Sequence, residues 1–401
     1  MSLNPRRFLD SPEGYRPRAL EIAKKYEELA RLDPFAYRSI VREYTWLGFG
    51  YLFGPLVLLT ILLMYLCFIQ TGRSSDYMVL ILVTDVAICA VIRTLSVKVK
   101  RPKLVTLRAE EAPQLFDRVS QIAKKIGVRS PDQIFVDESF NVSATELPQW
   151  GFYGPKESYL TVGLPLLLNT TEEEALSLIA RELGYFRSRS SPFGTRTCRL
   201  IRNWSEISLS LIHQGEVEFR PVLFVPFMTW FLPTFHIVGF ALQRQVEYEV
   251  DARAAELFGR DVYVDALLRR FILRDKIRRV FWEQLENRIG VEPEPPTHII
   301  VEMAKALSAE EGSSSAFEVL RSESQELTDL PDPQPSMFDR LRALGEEPDS
   351  FDLRIAQLPA VTNNAAEAFL GSSLGTATKR VDERAFESLR PRWRKAHAHP
   401  A

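Results

Sequence analysis

Three stretches of this chain contain almost no charged side chain: residues 47–70, 77–95 and 221–242. The first two are each about as long as a helix that crosses a bilayer, and only the polar segment TGRSSD separates them. The pattern predicts an N-terminal transmembrane helical hairpin within residues 46–96, with spans at about 47–70 and 77–95. Asp85 lies inside the second span, and we expect a structural role for it because neither span offers it a polar partner.

Outside these runs the chain is polar and mostly helical in pattern. Residues 1–45 predict a cytosolic amphipathic arm, and residues 261–401 predict a helical C-terminal region. The main domain, 97–260, also contains two strand-like runs, QIFVD at 133–137 and SYLTVG at 158–163. The predicted fold class is therefore mainly α with a small β-sheet (α+β).

The helix with the clearest boundaries covers residues 170–189, TTEEEALSLIARELGYFRSR. Thr171 and Glu174 have the spacing of a capping box at its start. At about 100° per residue, three polar side chains share the face of the apolar ones: Arg181, Glu182 and Tyr185. A charged pair and a phenol therefore point toward a core, which requires a chemical reason.

A second helical pattern, 245–259, follows the third apolar run and contains the string EYEVD. Together the two helices resemble the membrane-bound zinc metallopeptidases of the HtpX and CAAX prenyl protease type. In that family the first helix carries H-E-x-x-H and a later helix carries E-x-x-x-D. Here the second motif is intact, as Glu247 and Asp251. In the first motif Arg181 and Tyr185 replace both histidines, and Glu182 remains.

The resemblance covers about residues 90–345. Three further segments look like those that lead into the first helix in bacterial members: 110–125, 135–143 and 158–168. Residues 329–345 are similar to a later family segment that usually reads D-T-H-P-S-L and then R-L, and Gln334 occupies its histidine position. The resemblance implies a zincin-like fold in which an edge strand pairs with an extended substrate.

The resemblance also implies a role for each matching position. In the family the two histidines and the distant glutamate bind zinc, and the glutamate between the histidines is the general base. Glu182 therefore stands at the general-base position. The three former ligand positions are Arg181, Tyr185 and Glu247, and the positions that support the ligands are Asp251 and Gln334.

These replacements are incompatible with a zinc site of the usual kind. A guanidinium has no lone pair to donate and repels a cation, and a phenol with a pKa of about 10 is a poor zinc ligand. We therefore expect no zinc and no other cofactor. We hypothesise that the Arg181 guanidinium lies near the vacated zinc position and pairs with Glu247 or Glu182, while Tyr185 donates a hydrogen bond to a carboxylate.

Two alternatives remain open at this stage. Arg181 could be a surface residue of a purely structural helix. A hard cation such as Mg²⁺ or Mn²⁺ could instead bind to four carboxylates: Glu182, Glu247, Glu249 and Asp251.

The third apolar run, 221–242, is not expected to cross the bilayer. If Glu182 and Glu247 share a site, the chain between them must cross an even number of times, and it contains one such run. Pro226 and Pro233 also interrupt it. We favour a re-entrant or surface-embedded segment, or a buried core hairpin.

Charge and cysteine content argue against nucleic-acid binding and against a disulfide-rich secreted protein. The net charge of −2 gives no basic field for nucleic acid, and three cysteines do not form a disulfide framework. No cleavable signal peptide is expected, because the first apolar run begins only after about 45 residues. Basic residues flank the outside of the hairpin, which predicts a cytoplasmic main domain. We expect an integral protein of a bacterial cytoplasmic membrane.

The sequence as a whole predicts a membrane-anchored homologue of these peptidases that is catalytically inactive. Such a pseudopeptidase would use its cleft to bind a polypeptide or a membrane-protein partner. The competing interpretations are an active metalloendopeptidase with non-standard metal ligation and a membrane scaffold whose cleft has no role. The identity of the partner and the oligomeric state stay open.

Overall fold

The computed structural model describes residues 15–69, 74–95, 104–148, 156–188, 231–289, 291–308, 335–347 and 350–398. Over these ranges the chain is mostly helical with one small mixed sheet, which confirms the predicted mainly-α class. Gln334 lies outside the described residues, as does the first part of the third apolar run, 221–230.

The described residues begin with three long helices: α1 (Tyr15–Leu32), α2 (Pro34–Ile69) and α3 (Ser74–Leu95). Asp33 caps α2, because its Oδ1 accepts hydrogen bonds from the N–H groups of Phe35 at 3.1 Å and Ala36 at 3.0 Å. α2 and α3 pack against each other as the predicted hairpin. Asp85 is exposed on α3. The expected boundary between arm and hairpin, at residue 45, falls inside α2.

Within the described residues, no helix taken alone has both the length and the apolar character needed to cross a membrane. The segments Pro34–Gly48 and Phe53–Ile69 satisfy that requirement only as a pair, and they are bent by 51° relative to each other. Pro55 follows the bend, where its ring crowds the preceding turn and its missing N–H removes one helical hydrogen bond.

In the described part of the chain the sheet has four strands: β1 (Val105–Leu107), β2 (Gln133–Asp137), β3 (Val142–Pro148) and β4 (Lys156–Gly163). Their order is β1-β2-β4-β3, with β2 parallel to β4 and the other two pairs antiparallel. Both predicted strands are present, as β2 and β4, whereas the sequence analysis identified neither β1 nor β3 as a strand. The C-terminal helix covers the β1 edge, where Arg380 Nη2 donates to Thr106 O at 2.6 Å. β3 forms the other edge.

The remaining described helices build the core around this sheet. They are α4 (Pro113–Ile126), α5 (Leu164–Leu168), α6 (Glu172–Ser188), α7 (Leu232–Phe258), α8 (Arg260–Lys276), a π-helical turn (Ile277–Trp282), α9 (Glu283–Arg288), α10 (Ile299–Ser308), α11 (Met337–Ala343), α12 (Phe351–Ala356), α13 (Ala365–Leu370) and α14 (Leu374–Ala398). Buried apolar side chains from the sheet, α4, α6 and α8 form one cluster with the C-terminal helices.

The described half of the third apolar run forms the start of α7. Its side chains are buried inside the protein against α1 and α2, among them Phe235, Val238 and Leu242. This half therefore fits the buried-segment alternative. Helix α7 begins at Leu232, so Pro233 lies in its first turn, where a proline removes no intrahelical hydrogen bond. Pro226 lies outside the described residues.

Candidate functional site

Helix α6 begins with the predicted capping box. The Thr171 N–H donates to Glu174 Oε2 at 2.9 Å, and the Glu174 N–H donates to Thr171 Oγ1 at 3.3 Å. Glu174 also forms a buried ion pair with Arg269 of α8, whose Nη2 lies 3.1 Å from Glu174 Oε1. The start of α6 is thus fixed by its own residues and by a neighbouring helix.

The next turns of α6 pack closely on α7. A Cβ added at Gly184 would come within 3.2 Å of Val250 Cγ1, so even an alanine there would require Val250 to shift slightly. This close approach places the polar face of α6 opposite Glu247 and Asp251 of α7. Arg181 and Glu182 are accordingly buried, with 6% and 8% of their surface exposed. Arg181 is therefore not a surface residue, and that alternative was wrong.

The Arg181 guanidinium contacts three carboxylates at once. Its Nε donates to Asp251 Oδ1 at 2.9 Å, Nη1 donates to Glu182 Oε1 at 2.5 Å, and Nη2 donates to Glu247 Oε2. These bonds confirm the hypothesis that Arg181 pairs with Glu247 and Glu182. Burial alone would lower the pKa of Arg181, but Tyr185 and the three carboxylates outweigh it and raise that pKa.

Asp251 is the most heavily bonded carboxylate of the group. Arg340 of α11 binds it through two nitrogens, Nε to Oδ2 at 2.7 Å and Nη2 to Oδ1 at 2.8 Å. Tyr263 of α8 donates its hydroxyl to Oδ1 at 2.5 Å. Burial would raise the pKa of Asp251, but Arg340 and Arg181 reverse that effect and lower it to about 2. Asp251 therefore fastens three helices to α7.

Tyr185 completes this cluster on the side of Glu247. The Arg181 Cζ atom lies 5.3 Å from the centre of the Tyr185 ring, within the range of a cation–π contact. Burial raises the pKa of Tyr185, and a hydrogen bond to Glu247 raises it further despite the nearby Arg181. The phenol therefore stays neutral, and it makes the predicted hydrogen bond to a carboxylate.

A third arginine lies beside the cluster at the start of the edge strand. Arg270 Nη2 donates to the side-chain Oδ1 of Asn141, and the Glu182 carboxylate attracts the guanidinium electrostatically. Burial and the neighbouring Arg181 lower the pKa of Arg270 to about 10. Asn141 is held in place because its carbonyl accepts the Gly163 N–H at 2.8 Å, where a Cβ on Gly163 would collide with Ser139 O.

The donor set at this site does not fit the zinc ion that the family resemblance implies. Among the described residues, no group of three or more His, Cys, Asp and Glu is arranged to hold a metal, and the Arg181 guanidinium lies between the carboxylates. The alternative of four carboxylates around a hard cation was also wrong, because Glu249 is exposed and pairs with Arg253 at 2.7 Å.

Sequence reasoning missed three of the site residues: Tyr263, Arg270 and Arg340. A usable signal existed for Arg340, since it is followed by Leu341 at the R-L position of the resembled C-terminal segment. Tyr263 and Arg270 carried no such signal, because a helical pattern does not show which distant carboxylate or amide a side chain will meet.

Comparison with known proteins gives one weak likeness. No family model and no curated protein sequence matches the chain. The crystal structure of S. mikatae Ste24p superposes with a TM-score of 0.33 and 14% sequence identity, over 77% of this chain and 67% of that chain. The likeness is distant.

Replacing Arg181 with methionine should strongly destabilise the protein. The variant leaves Glu182, Glu247 and Asp251 buried without their shared cation, which costs roughly 3–5 kcal/mol. Chemical denaturation of the detergent-purified protein measures this loss. The matched control is Arg253→Met, which breaks an exposed pair on α7 and should cost no more than about 0.5 kcal/mol. Equal small losses in both variants would contradict the burial of the Arg181 cluster.

Acid should remove the contribution of the Asp251 carboxylate to the free energy of unfolding within a narrow pH range. Its pKa is lowered from 3.8 to about 2 in the folded protein, so its contribution is complete above about pH 4 and disappears as the pH falls toward 2. The expected loss is on the order of 2 kcal/mol, measured as unfolding free energy against pH. Asp251→Asn should lack this component, whereas the exposed-site variant Glu249→Gln should keep it.

Proposed function

We propose that this chain is a membrane-anchored pseudopeptidase, a catalytically inactive homologue of the HtpX and CAAX prenyl protease type that binds an extended polypeptide. The observation that supports inactivity most directly is the position of the Arg181 guanidinium, bonded to Glu182, Glu247 and Asp251. In a zincin the general base and the distant ligand face a metal ion and its water. Here both carboxylates are bonded to a fixed organic cation that activates no water.

A guanidinium is a physically reasonable substitute for the metal. Buried carboxylates without a cation would cost several kcal/mol each, and a planar guanidinium offers five donors in a fixed arrangement. Arg181 uses this geometry to reach three different carboxylates. The replacement joins α6 and α7 through a shared cation while removing the Lewis acid.

The polypeptide-binding part of the proposal rests on strand β3. β3 forms one edge of the sheet and packs beside α6. An edge strand presents backbone donors and acceptors along which an extended chain can add as a further strand. At the start of β3, Arg270 has a single described hydrogen-bond acceptor, the neutral Asn141 side chain. Its other guanidinium donors suit the carbonyl groups of an extended polypeptide.

The proposed membrane location rests on the second half of α2 and on α3. Their large apolar side chains are exposed in long series, and this is the largest such surface of the described chain: Val57, Leu58, Leu59, Ile61, Leu62, Met64, Phe68 and Ile69 on α2, and Met78, Val79, Leu80, Leu82, Val83 and Val86 on α3. The 22 residues of α3 give a length of about 33 Å at 1.5 Å per residue, close to the thickness of a bilayer core.

Restoring the two histidines should restore metal binding. In Arg181→His/Tyr185→His the imidazoles return to positions i and i+4 of α6, and Glu247 loses its guanidinium partner. Elemental analysis should find about one zinc per chain in this variant and none in the natural protein. Adding Glu247→Gln should abolish the uptake. Stoichiometric zinc in the natural protein would favour the active enzyme with non-standard ligation and refute the pseudopeptidase.

Polypeptide binding should depend on Arg270. We expect fluorescently labelled β-casein, an unfolded probe, to bind the purified protein without being cleaved. Arg270→Leu should weaken this binding about tenfold, the loss expected from one charge-assisted hydrogen bond. Arg274→Leu is the control, because Arg274 is exposed one turn further along α8. Unchanged binding in Arg270→Leu would contradict this role and favour a membrane scaffold that binds no polypeptide. Casein fragments would indicate an active enzyme.

A further inference from the structure

The N-terminal arm, defined as α1 and the Pro34–Gly48 half of α2, is bonded to helix α7 through the buried side chain of Tyr37. The Tyr37 hydroxyl donates to Val238 O at 2.8 Å and accepts the Leu242 N–H at 2.8 Å. Val238 and Leu242 are the pair that a regular α-helix joins directly. A side chain from the arm thus inserts into the main-chain hydrogen bonds of α7, a known cause of local change in helix geometry.

Two further contacts join the arm to α7 and to the residue that precedes it. Gly48 of α2 lies so close to α7 that a Cβ there would come within 2.5 Å of Phe231 Cζ. On α1, the Ala30 carbonyl accepts a hydrogen bond from Gln245 Nε2 at 3.3 Å. The arm therefore contacts this part of the chain from Phe231, the residue before α7, to Gln245, two residues before Glu247.

Arg244 connects the same arm to α11. Its Nη1 lies 3.6 Å from Glu27 of α1, and its Nη2 donates to Asp339 of α11 at 2.8 Å. The next residue of α11 is Arg340, which binds Asp251. Both members of the Asp251 and Arg340 ion pair thus belong to helices whose positions the arm helps to set.

We propose that the arm is a conformational device: it couples the tilt of α2 in the membrane to the geometry of the site around Arg181. Because α2 continues from the arm into the exposed apolar hairpin, a change in the tilt of α2 in a bilayer displaces Tyr37 and Gly48. The displacement is passed to α7 and changes how Glu247 and Asp251 meet Arg181. A helix is stiff over the roughly three and a half turns between Val238 and Asp251, and packed interfaces shift between discrete arrangements. The device rests on the membrane location proposed above.

Tyr37→Phe tests the link without removing the ring. Hydrogen exchange of the detergent-purified protein should show a change of about tenfold, the value of one net hydrogen bond, in α7 residues 242–251 and in α11. The control is Tyr26→Phe, which removes a hydroxyl bonded to Tyr44 within the arm. If Tyr37→Phe alters exchange in α1 and α2 alone, Tyr37 only fastens the arm and the proposal fails.

Gly48→Ala tests the same link from a second contact. The added methyl would overlap the Phe231 ring, so either the ring or α2 must shift, whereas Gly50→Ala, also in α2, meets no atom within 4 Å. Both variants replace a helical glycine with alanine, so they share any gain in helix propensity. Gly48→Ala should change exchange at 247–251, and Gly50→Ala should not. Identical exchange in both would contradict the proposal.

Changing the bilayer thickness tests whether the tilt of α2 affects the site. In nanodiscs of thin dimyristoyl and thicker dioleoyl lipid, the natural protein should differ in exchange at 247–251, because hydrophobic mismatch changes helix tilt. Tyr37→Phe should lose that difference. Equal exchange of the natural protein in both lipids would overturn the device. Zinc uptake by Arg181→His/Tyr185→His does not depend on the lipid, so the two proposals fail separately.

Discussion

A buried guanidinium bonded to three carboxylates holds the centre of this protein together. Glu182 comes from α6, while Glu247 and Asp251 come from α7, and Arg181 is the cation that all three share. Carboxylates withdrawn from water require a cation or must take up a proton. Two helices that approach as closely as α6 and α7 do at Gly184 therefore depend on Arg181. The additional bonds from Arg340 and Tyr263 to Asp251 bring α11 and α8 into the same assembly.

The cluster is close to neutral as a whole. Arg181, Arg340 and Arg270 balance the three carboxylates, yet the balance is uneven in space. Asp251 receives two guanidinium groups and a hydroxyl, which lowers its pKa to about 2. Among the described residues, Arg270 donates a hydrogen bond to an amide, and burial and Arg181 lower its pKa to about 10 despite the attraction of Glu182. The guanidinium donors of Arg270 therefore lie at the start of β3, and the proposed function assigns them to the carbonyl groups of a bound chain.

Local chemistry was predictable from the sequence, and long-range partners largely were not. The capping box of Thr171 and Glu174 was readable because both members lie within four residues. The pairing of Arg181 with Glu247, 66 residues away, was predictable only because the E-x-x-x-D string supplied its partner. Arg340 and Tyr263 bind the same carboxylate from helices that follow it by 89 and 12 residues, and nothing in their own helical patterns marks them. Strand β1 escaped notice because three residues are too few for a periodic pattern. The insertion of Tyr37 into α7 is likewise a property of packing alone.

The most direct test of the account is an anomalous-scattering map, measured at the zinc absorption edge, from crystals of the natural protein grown with excess zinc. The account predicts density for the Arg181 guanidinium between Glu182, Glu247 and Asp251 and no anomalous peak within bonding distance of these carboxylates. An anomalous peak ligated by Glu247, with Arg181 turned away from it, would contradict the account and make this a metal site.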